Sequence, residues 1–367
     1  MNIKHYLSIA LLSALFFSSC TKDSPLPVPL MSVTEDVIAG TVNSKITLSV
    51  TGKNSPILYH RWKMNDSIKG DKEIFEFTPA ATGTYYIEYI AINTAGNYSK
   101  TYTINVTPPI RDVTPTSNMY VTQLFEFLPA PGQFINKAPG NMVSAEGILG
   151  KKTGMVSLGA WGGTIVLGFD HTVLNVADKE DIIVYGNPQG NFAEPGIIWV
   201  MQDENANGKP DDTWYEVAGS EFGKPGYVRN YEVTYTKPNP TTADVPWRDN
   251  QGNTGVVKTN TFHKQSYFPE WAPGNEYTLK GSLLPSSNID MTVPTYITSM
   301  PFAWGYADNR AGGDKVDIAN AVDKDGKKMN LKGIDFIKIQ TGIQANMGWL
   351  GELSTEILGV ADASLIK

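Results

Sequence analysis

Cysteine is nearly missing from this chain, which has one, Cys20, in 367 residues. A single thiol excludes a disulfide scaffold and any cysteine-based zinc site. Charge is also scarce, at 18% of residues, and it leans acidic, with 30 Lys+Arg against 37 Asp+Glu and a formal net charge of −7. Such a balance excludes nucleic acid as a main partner, because phosphate recognition needs a basic surface. No apolar run reaches the roughly 20 residues of a spanning helix, and long amphipathic helical windows are absent. What the chain has in plenty is Gly (34), Pro (23), Tyr (17) and Trp (8). Turn formers that interrupt aromatic and β-branched runs point to an all-β protein. The length suits two or three domains, each able to bury its own core.

The first residues read MNIKHYLSIALLSALFFSSC: a basic start at Lys4, an apolar stretch from Leu7 to Phe17, then small residues. This is the pattern of a secretory signal over 1–19. Cys20 sits where the lipobox of bacterial lipoproteins places the residue to be lipidated, so a membrane attachment through a lipid anchor is expected. Residues 20–30, with Pro25, Pro27 and Pro29, read as an extended spacer. The Lys22-Asp23 pair resembles surface-export signals of some Gram-negative lipoproteins, and the expected location is the outer membrane, exposed at the cell surface.

Residues 31–107 carry short runs at Lys45 to Val50, Ile57 to Met64, Ile74 to Phe77, Tyr85 to Ile92 and Tyr98 to Val106, spaced as in a small β-sandwich. Trp62 takes the place of a central buried indole. Gly83-Thr84-Tyr85-Tyr86 followed by Asn93-Thr94-Ala95-Gly96-Asn97 resembles the penultimate strand and turn of polycystic-kidney-disease-type (PKD-type) Ig-like domains, which specifies a fold and no ligand. A Pro-containing linker over 108–120 follows. From 121 to 367 further short runs appear, among them VSLGAWGGTIVLGFDHTVLNV, DIIVYGN, GIIWVMQDENANGKPDDTWYEVAGSE and GIDFIKIQTG. Their order resembles a galactose-binding-like jelly roll, with a loop-rich insertion expected at about 237–330.

Two constellations are candidates for chemistry. Asp203, Asn205, Asn207, Asp211 and Asp212 place oxygen side chains around Gly208, as a Ca2+ loop would, since calcium takes about six to eight oxygens. The same residues also suit an Asx-rich turn with solvated carboxylates. The position where an EF-hand carries its bidentate Glu is Trp214 here. Within the insertion, Trp247, Phe262, His263, Tyr267, Trp271, Trp304 and Tyr306 lie among turn formers, as a platform for a ring-shaped ligand would. Arg248, Asp249, Asp308, Asn309 and Arg310 are the candidate polar contacts beside them. About half of these aromatics are expected to form a core for the insertion instead. No nucleophile-base, zinc-protease or phosphate-loop motif occurs, so the residues read as a binding protein before a hydrolase and no catalytic residues are assigned, although an acid pair for glycosidase work leaves no linear signature.

Over most of 121–367 the motifs WGGTIVLGFDH, VYGN, YADN and LKGIDFIKIQTG resemble surface lipoproteins of gut Gram-negative bacteria, some of which form the cobalamin-binding BtuH group. That resemblance implies capture of cobalamin (vitamin B12), as ligand and not as cofactor, and its delivery to an outer-membrane transporter. The alternative is a calcium-dependent glycan-binding or adhesion lipoprotein.

Overall fold

The computed structural model describes residues 25–32, 35–54 and 56–366. The expected signal segment 1–19 and the expected lipidation site Cys20 lie outside them. The chain divides into two compact units, and the long continuous stretch of the second begins at Val106.

The first unit has the two-sheet plan expected of an Ig-like domain. Val37–Thr41, Gly96–Thr107, Gly83–Asn93, Tyr59–Met64 and Ser67–Gly70 form one sheet in that order, while Ile46–Ser49 pairs with Ile74–Phe77. Its strands alternate. Ile87, Tyr89 and Ala91 are buried at period two, as are Tyr102, Ile104 and Val106, so one face of each strand supplies the core. Trp62 is fully buried, its ring 4.6 Å from that of Tyr89 and 5.4 Å from that of Phe75. Its indole N–H donates to the Lys72 carbonyl at 2.8 Å, which pairs the one polar atom of that side chain.

The second unit is a sandwich with a third sheet added. One main sheet has the order Gln123–Leu128, Thr164–Leu174, Gly333–Thr341, Gly196–Met201, Tyr215–Val217, Ala321–Val322; the other has the order Val156–Ser157, Glu356–Asp362, Ile182–Gly186, Asp314–Val316. Between them lies an aliphatic core that includes Ile165, Leu167, Val184, Ile198, Val200, Ile337, Ile339 and Val360.

The central strands GIIWVM and GIDFIKIQT do not alternate, because both of their faces are covered. Ile198 and Val200 point into the sandwich, whereas Ile197 and Trp199 join a separate cluster with Leu284, Phe302 and Tyr306. Covering the second face is part of what the insertion does. It forms an antiparallel sheet ordered Thr254–Val257, Val245–Asp249, Val228–Thr236, Glu276–Leu283. This sheet is joined to the sandwich through Trp161, whose indole donates to the Ser282 carbonyl at 3.1 Å and whose carbonyl accepts from the Tyr235 hydroxyl at 2.8 Å.

The expected boundaries of the insertion therefore move. The added sheet begins at Val228, ahead of 237, and is strand-built where loops were expected. Asp314–Val316 and Ala321–Val322, placed inside the insertion by the sequence reading, are strands of the two main sheets. Short three- and two-residue strands carry too little periodicity to be seen before folding.

Candidate functional site

The twelve expected contact residues do not converge on one surface. Trp247, Arg248 and Asp249 lie on a strand of the added sheet. Trp247 packs over Gly255, where a Cβ would come within 2.5 Å of its ring. Arg248 is held by Glu276 through two bonds of 2.7 and 3.0 Å. Asp249 accepts from the Tyr231 hydroxyl and from the Asn253 amide, both at 2.7 Å, and so closes its own turn.

Tyr267 is fully buried and belongs to the core of the insertion, with burial pushing its phenol up to about 12. Tyr306 is likewise buried, its hydroxyl accepting from the Glu221 N–H at 2.8 Å. Asp308 and Asn309 are also interior: Asn309 bonds both the N–H and the carbonyl of Phe302. Arg310 closes the same loop through the Ala303 carbonyl at 2.8 Å. Loop aromatics and loop polars looked alike in sequence, and these four interior side chains are occupied by the fold. Phe262, Trp271 and Trp304 are the exposed aromatic members. Trp271 stands edge-on to Tyr277, and Trp304 borders a cleft of about 360 Å³ with Val217, Lys315 and Asn320.

The 203–212 loop closes on itself. Asp203 accepts from the N–H groups of Asn207 and Gly208 at 3.1 and 2.8 Å. Asp211 accepts from the amides of Asn205 and Asn207 at 3.1 and 3.0 Å, and Asp212 from the Glu204 N–H at 2.9 Å. The side chains thus meet around Gly208 as both readings required. Each carboxylate already serves protein donors, as in an Asx-rich turn. Among the described residues no group of three or more His, Cys, Asp or Glu side chains is placed to hold a metal.

A site that the sequence reading missed lies where three loops of the sandwich meet. It is a slot of about 470 Å³ between Gln133-Phe134, the segment Asn187 to Glu194, and the segment Met347 to Glu356. This volume falls in the range of small-molecule pockets, roughly 300–1,000 Å³. Phe134, Phe192, Met155, Met347 and Trp349 supply apolar walls, and Gln133, Asn187, Gln189, Glu194, Glu352 and Glu356 supply polar groups. Trp349 is 52% exposed, presented by a short 3-10 turn, Gly348–Leu350, between two glycines at φ 62° and 94°. Those positive φ values admit few other residues.

The polar side of the slot is unusually acidic and deeply held. Glu352 takes the Gln133 N–H on Oε1 at 2.7 Å, and its Oε2 has no hydrogen-bond partner. Its carboxylate lies over Gly132, where a Cβ would be 2.5 Å from Oε1, so any side chain at 132 would displace it. Glu194 accepts from the Ser354 N–H at 3.0 Å and Glu356 from the Asn187 side-chain amide at 2.8 Å. Behind them Asp308 accepts from the N–H groups of Asn187 and Glu356 at 2.6 and 2.7 Å. Burial pushes Glu352 up to about 8, and burial together with the neighbouring carboxyls lifts Glu194 and Asp308 well above the usual carboxylate range.

His263, expected as a ligand contact, sits beside this slot. The His263 ring is edge-on to Phe134 at 4.9 Å, and burial with Lys137 nearby holds its pKa down. Asn260 and Gln265 brace the Gln133 side chain and carbonyl from the same segment. The missed residues left one trace in the sequence, the run NMGWLGELSTE. It isolates a Trp between glycines and sets two acids four residues apart.

No family model and no curated protein matches the chain. Among solved structures it is similar to carbohydrate-binding modules of the β-sandwich superfamily, with 13% identity and a TM-score of 0.20 over 92% of this chain and 98% of that one. Fibronectin(III)-like modules of Clostridium thermocellum CbhA are similar at 13% identity and TM-score 0.21, over 62% of this chain and 89% of that one. A candidate alpha-galactosidase from Bacteroides fragilis is similar at 13% identity and TM-score 0.19 over 23% of this chain, which spans only 20% of that protein's length. Likenesses at this level assign no function. The class is that of an all-β protein with an Ig-like unit and a larger β-sandwich.

Proposed function

We propose that this is a lipid-anchored surface protein of the outer membrane that binds carbohydrate in the slot between Phe134, Phe192 and Trp349, without turning it over. One observation supports the reading above others: Phe134, Phe192 and the half-exposed Trp349 line a cavity of about 470 Å³ together with side-chain amides and carboxyls. Aromatic faces stack on the C–H faces of pyranose rings, and amides and carboxyls bond hydroxyls. The first unit, whose buried residues are almost all apolar, acts in this reading as a spacer that holds the slot away from the membrane.

Capture of cobalamin fits less well. That ligand needs a broad platform, and the exposed aromatics Phe262, Trp271 and Trp304 do not line one cavity. The transporter partner belongs with these proposals and stands or falls separately. Titration calorimetry with a glycan panel and cyanocobalamin separates the alternatives. A sugar that binds wild type and binds at least about tenfold more weakly to Trp349→Ala supports the slot. Cyanocobalamin binding with a silent glycan panel would replace the carbohydrate reading with the vitamin.

A further inference from the structure

The carbohydrate reading leaves a cluster of acids unexplained. Glu194, Glu352 and Glu356 line one slot, with Asp308 buried behind them, and among the described residues no Lys, Arg or His lines it. Every protein donor these carboxyls use is a neutral amide: the N–H groups of Gln133, Ser354, Asn187 and Glu356 and the side chain of Asn187. Neutral donors solvate a carboxylate but do not cancel its charge, and like charges this close in a partly dry site repel strongly. Glu352 is 4% exposed, and its Oε2 finds no donor in the protein. A buried acceptor left unpaired costs about 1–3 kcal/mol unless something else bonds it.

Resting on the carbohydrate reading, we infer that the slot selects a sugar bearing a free, protonated amine, with the ammonium seated among the carboxyl groups of Glu352, Glu194 and Glu356 and the ring against Trp349. An organic ammonium suits this geometry better than a metal ion. No three acidic side chains of the described residues are placed to chelate, whereas an ammonium needs only separate acceptors. Phe134, Phe192 and Trp349 offer ring faces that attract a cation and also cover the apolar side of a sugar. Arrival of the cation favours ionised carboxyls, so a proton held by the acid cluster leaves to buffer as the amine docks.

The test uses the full chain at near-neutral pH, with glucosamine, N-acetylglucosamine, glucose and ethanolamine as probes in titration calorimetry. Glucosamine is expected to bind at least about tenfold more tightly than the acetylated or neutral sugars. Its apparent enthalpy is expected to vary between buffers of different ionisation enthalpy, which reports the released proton. Glu352→Gln keeps an acceptor for the Gln133 N–H and is expected to remove the preference for the amine while leaving weak neutral-sugar binding. Glu194→Gln, less deeply buried, is the second variant should Glu352→Gln melt early.

Equal binding of all three sugars, or no binding of any amine, overturns the inference, and the first of these leaves the carbohydrate reading standing. Ethanolamine binding as tightly as glucosamine, with both neutral sugars silent, supports the cation seat and overturns the carbohydrate reading. Amine binding unchanged in both Glu variants overturns the inference. So does Ca2+ or Mg2+ occupying the same residues more tightly than any amine.

Discussion

The two units spend buried surface differently. In the first, among the described residues, the one strongly buried polar side chain is Asn93, which caps its own turn by accepting from the N–H groups of Ala95 and Gly96 at 2.8 and 3.2 Å. In the second, nine acids are buried: Asp181, Asp203, Glu216, Asp308, Asp314, Asp335, Glu352, Glu356 and Asp362. Most have donors. Asp335 takes Arg111 and Thr172 at 2.9 and 2.7 Å, and Asp362 takes His171, which Asp170 holds from its other nitrogen at 2.7 Å. Glu352 stands out because one of its oxygens has none. A core of rings and aliphatics holds the first unit together without buried charge among the described residues. A fold that buries charge has placed it where structure or ligand supplies the counterpart.

The sharpest break of this contrast is Trp62→Ala. Removing an indole packed against Tyr89 and Phe75 is expected to cost the first unit about 3–5 kcal/mol, read as an early transition in thermal melting, while sugar affinity in the second unit stays within about twofold. Loss of binding together with the early transition would show that the spacer role is wrong.

Next comes pH. Glu352 is raised to about 8 by burial, above an unfolded value of about 4.3. The folded state therefore holds the proton more tightly, and stability is full below the unfolded value and is lost as pH rises towards about 8. His171, raised by its bond to Asp362, acts in the same direction, since its contribution is lost as pH rises through its folded value. The melting temperature of the second unit is expected to fall by several degrees from mildly acidic to mildly alkaline buffer, and Glu352→Gln is expected to flatten that slope. An unchanged slope in the variant would assign the effect to other groups.

Trp349→Ala should act on ligand alone. Its ring is half exposed, so the melting temperature is expected to move by no more than about 1–2 °C, since exposed substitutions usually stay within about 0.5 kcal/mol. Affinity for a bound sugar should drop about tenfold. The smallest expected effect is that of a chelator. With the 203–212 carboxylates engaged by loop donors, EDTA is expected to leave the melting curve in place, and a rise of several degrees on adding Ca2+ would instead identify a calcium loop by mass action.

Much of the first unit was legible before folding, because single-sided strands write their burial as alternation and Trp62 marks the centre. Strands such as Gly83–Asn93 and Ile74–Phe77 appear where the runs were read. The central strands of the sandwich were legible as continuous apolar runs. The contact list was less so. Phe262 and Trp304 are exposed as loop aromatics were expected to be, yet Tyr267 and Tyr306 are interior, and composition cannot tell a ring that covers a core from one that meets a ligand.

The sequence by itself determined the all-β class and the places of most long strands, since each follows from local periodicity and turn residues. Tertiary structure alone decided that the insertion is a sheet sealing the second face of the sandwich. It also decided that Gln133, Glu194 and Glu352, far apart in the chain, share one slot. The reason is physical: strand patterns are recorded within a few residues, whereas a site assembled from loop ends depends on sheet order and register, which no short window contains.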